Sequence, residues 1–320
     1  VGLDLTVSKT AAGTFDRTYL WEILKDVDKT EVNIASGGKA TFYYTVTVNQ
    51  TGVSDAGWTL AGVITISNPN DWEDITLTGL TDVVDNGGVC SVDPGPYVIA
   101  KSGSLDVAYS CSFAAMPTSY SGKNTATATW DNVLYFTPKG SASGEKAFTL
   151  SQDGTKNKTI NVTDTLGGSL GSVTATDGAP WASKSFTYDY KFAGIGGTCT
   201  KYDNTATITE TGAFAKETVE VCVGKDLEVS KTATGTYDRE YLWKISKDAD
   251  KTLAKIAAGG EATFNYTVLV EQTGISDTGW ELSGVITIKN PNDWEEITLL
   301  TLSDVVDNGG VCSVDPGPYV

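Results

Sequence analysis

The chain has 320 residues, of which 40% are hydrophobic, and its formal net charge is −17. An acidic balance of this size opposes binding to nucleic acid and to anionic membrane surfaces, so neither partner is expected. The sequence has no histidine, which excludes Ser-His-Asp and Cys-His catalytic arrangements, and it has no nucleophile-elbow or phosphate-loop motif. We therefore predict that the protein is not an enzyme. No apolar run is long enough to span a bilayer, and membrane insertion within these residues is not expected.

Alternating apolar and polar residues predict β-strands along most of the chain. The clearest examples are residues 40–50, 105–113 and 186–192, which are rich in β-branched and aromatic side chains. A period of two is typical of half-buried strands, and Gly-, Pro- and Asn-rich turns separate them. The pattern predicts an all-β fold of antiparallel sandwiches. The residues expected in the core are Phe42, Tyr44, Val46, Leu60, Ile64, Ile66, Val107, Tyr109, Phe186 and Tyr188.

A long internal repeat dominates the sequence. Residues 1–98 recur without a gap as residues 223–320, and 73 of the 98 positions are identical. Self-similarity at a fixed period is the mark of an array, in which copying a unit multiplies length and valency. We therefore expect the chain to be a section of a longer array that continues beyond Val320.

A second, fainter duplication predicts the domain boundaries. Residues 81–83 resemble residues 163–165, and residues 124–129 resemble residues 204–209, at similar separations of 42 and 40 residues from Asp to Asn. We predict a long domain at 1–131, a short domain at 132–222, and a truncated second copy of the long domain at 223–320. Flexible linkers are built from Gly/Ser-rich or Pro-rich spacers. The junctions have none, which predicts abutting domains arranged as a stiff rod.

Four segments carry a resemblance to a known family. Residues 3–10 at a domain start, and the Asn-Thr-Ala-Thr strands beginning at Asn124 and Asn204, resemble the tandem Ig-like "conserved repeat" domains of bacterial and archaeal cell-surface and fibre-forming proteins. Residues 57–70 are similar to a longer variant of these domains. The resemblance implies tandem Ig-like β-sandwiches at the cell surface or outside the cell. It implies no catalytic residues.

The expected function is structural. By this resemblance the chain is a repeat of an extracellular filament, a pilus-like fibre or a surface-protein stalk, and its partners are copies of itself, end to end or laterally. One alternative is an adhesin repeat that binds carbohydrate or a host surface, for which Trp72 and Trp181 lie in turn-like polar contexts. Another is a self-contained pilin that is completed by a strand from a second subunit.

Five cysteines bear on the compartment. Cys90 and Cys111 are 21 residues apart, and Cys199 and Cys222 are 23 apart; Cys312 is the copy of Cys90. The four cysteines of one 222-residue repeat can be paired in three ways. We favour the pairing that joins the two cysteines nearest to each other in sequence in each case. The partner of Cys312 is then expected beyond Val320. Disulfides indicate an oxidising compartment, and buried free thiols are the alternative.

Two oxygen-rich turns are candidates for a calcium site. Hard cations bind several converging oxygen ligands. The alternative is that Asn and Asp shape these turns through local hydrogen bonds. No other cofactor is expected. The candidate ligands are Asn70, Asp71, Glu73, Asp82 and Asp85.

An internal isopeptide bond is a further candidate. Lys9 lies in a predicted first strand and Asn124 in a predicted last strand, and Asp82 is the carboxylate that would assist. The alternative is a solvated lysine and a turn asparagine.

Four sites fit the Asn-X-Ser/Thr pattern for glycosylation, a pattern that is common by chance. Asn49 of the first copy is replaced by Glu271 in the second copy, and Asn265 of the second copy stands where the first copy has Tyr43. Neither of these two sites is therefore repeated. The acceptors are Asn49, Asn157, Asn161 and Asn265.

Overall fold

The structure is a computed structural model that describes all 320 residues. It is all-β, as the alternating patterns predict, and contains 19 strands. No helix in it has the length and apolar character needed to traverse a bilayer. The strands are β1 (Thr6–Lys9), β2 (Ala12–Val27), β3 (Glu31–Ile34), β4 (Ala40–Ser67), β5 (Ile75–Val84), β6 (Val89–Val92), β7 (Val98–Ile99), β8 (Ser104–Ser112), β9 (Ser121–Trp130), β10 (Ser141–Lys156), β11 (Thr159–Asp164), β12 (Gly168–Thr174), β13 (Ser183–Phe192), β14 (Cys199–Ile208), β15 (Phe214–Val223), β16 (Glu228–Lys231), β17 (Thr234–Ala249), β18 (Tyr266–Ser283) and β19 (Ile286–Lys289).

These strands form four sheets. The largest has ten strands in the order β6-β8-β4-β2-β10-β9-β5-β7, and β1 and β13 also pair with β4. A five-stranded sheet has the order β12-β11-β14-β15-β3, and two further sheets are the pairs β16-β19 and β17-β18. Within the largest sheet β10 runs parallel to β2 and antiparallel to β9.

The longest feature is a two-stranded ribbon made of β2 and β4. Their antiparallel register runs from Ala12↔Ala61 to Val27↔Tyr44, with two irregularities along the way. At about 3.3 Å per residue, the 28 residues of β4 have a contour of roughly 90 Å. One end of β4 pairs with β8 and the other end pairs with β13. We call this pair of strands the ribbon.

Each end of the ribbon packs into a separate hydrophobic core. The first core includes Leu60, Ile64 and Ile66 of β4. Its other buried members are Leu5, just before β1, and residues of β2, β5 and β7–β10, among them Trp130 and Phe148. The second core contains Ile23, Val46 and Val48 of the ribbon, packed with residues 160–208. Alternation of side chains along the strands makes both cores possible, since every second residue faces inward.

This packing does not follow the predicted boundary at residue 131. Ile23, Val46 and Val48 lie in the range predicted for the long domain, yet they complete the second core. Conversely, Phe148 and Leu150 belong to the range predicted for the short domain, yet they pack in the first core. The reason is that strands 16 and 28 residues long extend past one sandwich into the next.

The chain divides into two compact units. Unit 1 comprises Val1–Val32, Lys39–Phe192 and Lys201–Glu220, and holds both cores. Unit 2 comprises Asn33–Gly38, Ala193–Thr200 and Val221–Val320, and includes the whole range 223–320 predicted as the third domain.

Unit 2 repeats the ribbon but not its covering strands. β17 and β18 pair from Thr234↔Ser283 to Ala249↔Tyr266, as β2 and β4 do in unit 1. Ile245 and Val268, the copies of Ile23 and Val46, are 70% and 52% exposed. In unit 1 residues 160–208 cover the corresponding face.

Nine of the ten residues expected in the core are buried. The tenth, Tyr188, is only half-buried and packs against the edge of the second core. Its ring stacks on Tyr44, and its hydroxyl hydrogen-bonds to Lys25. A tyrosine with a polar partner does not need full burial.

The shared ribbon generates a stability prediction. Ile23 is buried in the second core, whereas its neighbour Leu24 is 55% exposed. We expect Ile23→Ala to lower the free energy of unfolding by about 2–5 kcal/mol, because it leaves a cavity in the core. Leu24→Ala, which removes a side chain of the same size, should change it by less than about 0.5 kcal/mol. Urea denaturation of the two variants measures both values. Equal losses would contradict the assignment of the ribbon's far end to the second core.

Candidate functional site

The first core contains a buried cluster of three polar side chains, which we call centre 1. Lys9 Nζ donates a hydrogen bond to Asp82 Oδ1, and both side chains are fully buried. Asn124 Nδ2 donates to Asp82 Oδ2 at 2.8 Å and to the Val83 carbonyl oxygen at 3.0 Å. Asp82 therefore lies between the Lys9 amine and the Asn124 amide. These are the three residues that the sequence suggested for an isopeptide bond.

Strand alternation explains why these polar side chains lie inside. Asp82 occupies an inward position of β5, between the buried residues Leu80 and Val84. Asn124 is the first buried residue of β9, where Ala126 and Ala128 follow it on the same face. Lys9 is the buried last residue of β1. The three inward positions converge because β5 pairs with β9 and because β1 packs close to β9.

Centre 1 is buried among aromatic and sulfur-containing side chains. Lys9 Nζ lies 3.9 Å from the centroid of the Tyr109 ring, and Cys111 Sγ lies 3.6 Å from Asp82 Oδ2. Burial lowers the pKa of Lys9, although the hydrogen bond and charge of Asp82 oppose this. The amide oxygen of Asn124 is buried and has no hydrogen-bond partner. An unpaired buried acceptor is costly and rare.

The second core contains a related cluster, centre 2. Lys25 Nζ donates to Asp164 Oδ2 at 2.5 Å and to the Tyr188 hydroxyl at 2.9 Å, and the Lys25 and Asp164 side chains are fully buried. Asn204 Nδ2 donates to the same Tyr188 hydroxyl at 2.7 Å. The Asn204 oxygen accepts a bond from Thr165 Oγ1 at 2.8 Å.

Asp164 is held as a carboxylate. Burial raises its pKa, but hydrogen bonds from Gly167 N, Lys25, Tyr188 and Leu166 N outweigh burial, so that its pKa is lowered. Burial also raises the pKa of Tyr188, which keeps this phenol neutral. In centre 2 the carboxylate of Asp164 and both polar atoms of the Asn204 amide have hydrogen-bond partners.

Sequence reasoning missed centre 2, although part of its signal is visible. The duplication pairs Asp82 with Asp164 and Asn124 with Asn204, but the matching lysine lies at position 25. The predicted boundaries assigned that lysine to the other domain. The usable signal is that Lys25 shares an inward strand face with Tyr19 and Ile23.

The second copy of the repeat retains both lysines. Lys231 and Lys247 occupy the positions that match Lys9 and Lys25. Lys231 Nζ hydrogen-bonds to Asp304, the copy of Asp82. The lysine–carboxylate contact of centre 1 therefore belongs to the repeated design.

The cysteines form the two sequence-local pairs that we favoured. Disulfides join Cys90 to Cys111 and Cys199 to Cys222, and Cys312 is free. Asp82, Cys90 and Cys111 are also the one group of acidic or thiol side chains whose ligand atoms cluster closely. Because both sulfurs are bonded to each other, this group is not a thiolate metal site.

The candidate calcium ligands do not converge on one point. Asp82 is occupied by Lys9 and Asn124 in the core. Asp85 Oδ1 accepts the Lys123 backbone N–H, and Asn70 bonds to the Leu3 backbone. The remaining candidates, Asp71 and Glu73, belong to no compact group of acidic side chains. The alternative reading, in which these residues shape turns, fits the described contacts.

The four candidate glycosylation asparagines lie outside the cores. Asn161 and Asn265 are exposed, and Asn49 and Asn157 are half-buried. Their side chains or backbones already bond to neighbours, such as Glu210 for Asn161 and Asp250 for Asn265.

No protein-family model and no curated protein matches the chain. Among solved structures, the chain is similar to an ICAM-5 D1–D4 ectodomain fragment, at 8% identity over 88% of this chain and 80% of that one. The TM-score of 0.17 is too low to support an argument.

Centre 2 generates a prediction about stability and pH. Asp164→Asn leaves the Lys25 ammonium buried without its counter-charge, and we expect a loss of about 3–5 kcal/mol in the free energy of unfolding at pH 7. The pKa of Asp164 is lower in the folded chain, so its stabilisation is complete above the unfolded value of about 3.9 and disappears as pH falls through the folded value. The gap between wild type and variant should therefore close in acid.

The matched control is Asp203→Asn. This carboxylate pairs with Lys216, but both side chains are largely exposed, so little loss is expected. Urea denaturation across the pH range measures both variants. A gap for Asp164→Asn that stays constant down to the lowest pH would contradict the ionised buried pair.

Proposed function

We propose that the chain is a structural repeat of an extracellular filament, pilus-like fibre or surface stalk, and that its task is to maintain length and stiffness. The observation that carries the proposal is the ribbon of β2 and β4, which supplies residues to both cores of unit 1. Two sandwiches joined by a hydrogen-bonded ribbon cannot hinge as two domains on a single-chain linker can.

Polar contacts brace the ribbon toward the first core. Arg17 forms a two-pronged ion pair with Asp55 across the ribbon, with N–O distances of 2.7 and 2.8 Å. The Tyr120 hydroxyl donates to the same carboxylate at 2.7 Å. Paired hydrogen bonds of this kind fix geometry as well as adding attraction. Arg239 and Asp277 repeat the pair at the same distances in the second copy.

Further contacts brace the ribbon toward the second core. Trp21 Nε1 donates to the Asn157 carbonyl oxygen at 2.9 Å, and the Tyr19 hydroxyl donates to Asp177 at 2.5 Å. The buried Gln50 side chain exchanges two hydrogen bonds of 2.8 Å with the Thr176 backbone. Side-chain amides locked on both sides resist bending at that point.

The disulfides support the extracellular part of the proposal. Bonds such as Cys90–Cys111 and Cys199–Cys222 persist in oxidising compartments and are rare in the cytosol. Repetition at a period of 222 residues supports the structural part, because arrays add reach in proportion to the number of units.

An adhesin repeat is a second candidate. Trp72 and Trp181 are 49% and 39% exposed, and exposed indole rings can stack on sugars. Binding of the wild-type chain to a glycan array, lost in Trp72→Ala or Trp181→Ala, would favour this function over a purely mechanical one.

The mechanical proposal predicts how size scales with repeat number. Chains with one, two and four copies of the 222-residue unit should show a maximum dimension, measured by small-angle X-ray scattering, that grows in proportion to copy number. A flexible string of domains would grow roughly as the square root of copy number.

The control carries a Gly/Ser spacer inserted after Gly224, at the start of each following 222-residue repeat. It should shift the scaling from proportional toward the square-root law. If the unmodified series already follows the square-root law, the stalk proposal is wrong. Self-association of the 320-residue chain alone would favour the subunit-completion alternative.

A further inference from the structure

We propose that Lys9 and Asn124 become joined by an intramolecular amide bond, which forms spontaneously in the folded first core and ties β1 to β9. This proposal rests on the proposed function, because a covalent bond across a sandwich would help a structural repeat to resist being pulled apart. Its evidence is chemical, however, and its test does not depend on whether the chain forms a fibre.

The geometry of centre 1 meets the first requirement of such a reaction, proximity. Asp82 hydrogen-bonds to Lys9 through one oxygen and to Asn124 through the other. The two reacting groups are therefore held on the same carboxylate, in a core where neither can exchange its partner for water. Fixing reactants in this way replaces an encounter between them with a reaction inside one site.

The second requirement is an uncharged amine, since an ammonium has no lone pair to attack with. Lys9 donates directly to Asp82, so one proton shift along that hydrogen bond converts the ion pair into a neutral amine and a carboxylic acid. Both side chains are fully buried, and a low dielectric disfavours the ammonium form of Lys9. The lowered pKa of Lys9 has the same direction.

The third requirement is a polarised amide carbonyl. The Asn124 oxygen is buried without a partner. Rotating the amide by half a turn exchanges its oxygen and nitrogen, which differ little in shape. The oxygen then faces Asp82 Oδ2, and the carboxyl group can donate to it once the newly acquired proton has moved from Oδ1 to Oδ2. Donation to the oxygen stabilises the charge that develops there during attack.

The atoms and charges of this reaction balance without any further reagent. Lys9 Nζ forms a bond to Asn124 Cγ, and the bond from Cγ to Nδ2 breaks. The lysine ammonium gives up two protons: one stays on Asp82, and the other leaves with the amide nitrogen as ammonia. A buried ion pair, which is expensive to desolvate, is replaced by a neutral amide beside a neutral acid.

Centre 2 lacks two of these features. Its asparagine oxygen already accepts a bond from Thr165. Asp164 bonds to Lys25, Tyr188 and two backbone N–H groups, and Asn204 is not among its partners. The Tyr188 hydroxyl contacts both the amine and the amide of this centre. The proposal is therefore confined to centre 1.

The test is the mass of the purified full chain, measured after denaturation and reduction of the disulfides. We expect it to be one ammonia molecule lighter than the sequence requires. Proteolysis and fragmentation should yield a branched peptide that contains both Lys9 and Asn124. The full sequence mass, or a loss of ammonia without that branched peptide, would overturn the proposal.

Variants assign the roles. Lys9→Met and Asn124→Ala should each restore the unreacted mass, and Asp82→Ala should do so while leaving both reacting groups in place. Lys123→Met, which removes an exposed lysine next to Asn124 in sequence, should retain the ammonia loss. A cross-link that persists in Asp82→Ala would remove Asp82 from the mechanism. If these variants do not fold, the presence or absence of the branched peptide in the wild-type chain still tests the bond. A cross-linked chain whose size follows the square-root law would refute the stalk while leaving the bond established.

Discussion

The ribbon of β2 and β4 is the constraint on which unit 1 depends. Because side chains alternate along a strand, one continuous pair of strands can present Leu60 and Ile64 to one core and Val46 and Val48 to another. A hinge between the cores would have to break ribbon hydrogen bonds and the Arg17–Asp55 pair together. The backbone pairing that forms the sheet also joins the two sandwiches.

Each core then contains one buried lysine beside one buried carboxylate. Isolated charges in such positions are too costly to persist, so each lysine requires its partner. The requirement also fixes register. A shift of β1 or β2 by one residue would turn Lys9 or Lys25 toward solvent and an outward neighbour into the core. We attribute to these pairs a role in specifying strand alignment, in addition to any chemistry at centre 1.

Local features of the fold were predictable from the sequence, whereas the contribution of one pair of strands to two cores was not. Alternation predicted the strands and nine of the ten core residues, and spacing favoured the cysteine pairs that the structure contains. Strand order brought Lys9, Asp82 and Asn124 together as a hypothesis. Centre 2 was not predicted because Lys25 and Asp164 are 139 residues apart. Domains predicted as continuous ranges also cannot represent a ribbon that two cores share. The calcium hypothesis gave too little weight to hydrogen bonds within turns, such as Asn70 N to Asn68 Oδ1.

Centre 1 lies at a short strand of the first core. β1 has four residues and pairs with β4 only from Thr6↔Ser67 to Lys9↔Ile64, so few backbone hydrogen bonds retain it. The Cys90–Cys111 disulfide joins β6 to β8 and does not hold β1. Load applied along the chain would reach the short first strand before it reached the long ribbon. A contact between Lys9 and the β5–β9 pair therefore reinforces the sandwich at a strand that few backbone hydrogen bonds retain, and a covalent bond there would hold β1 in place under load.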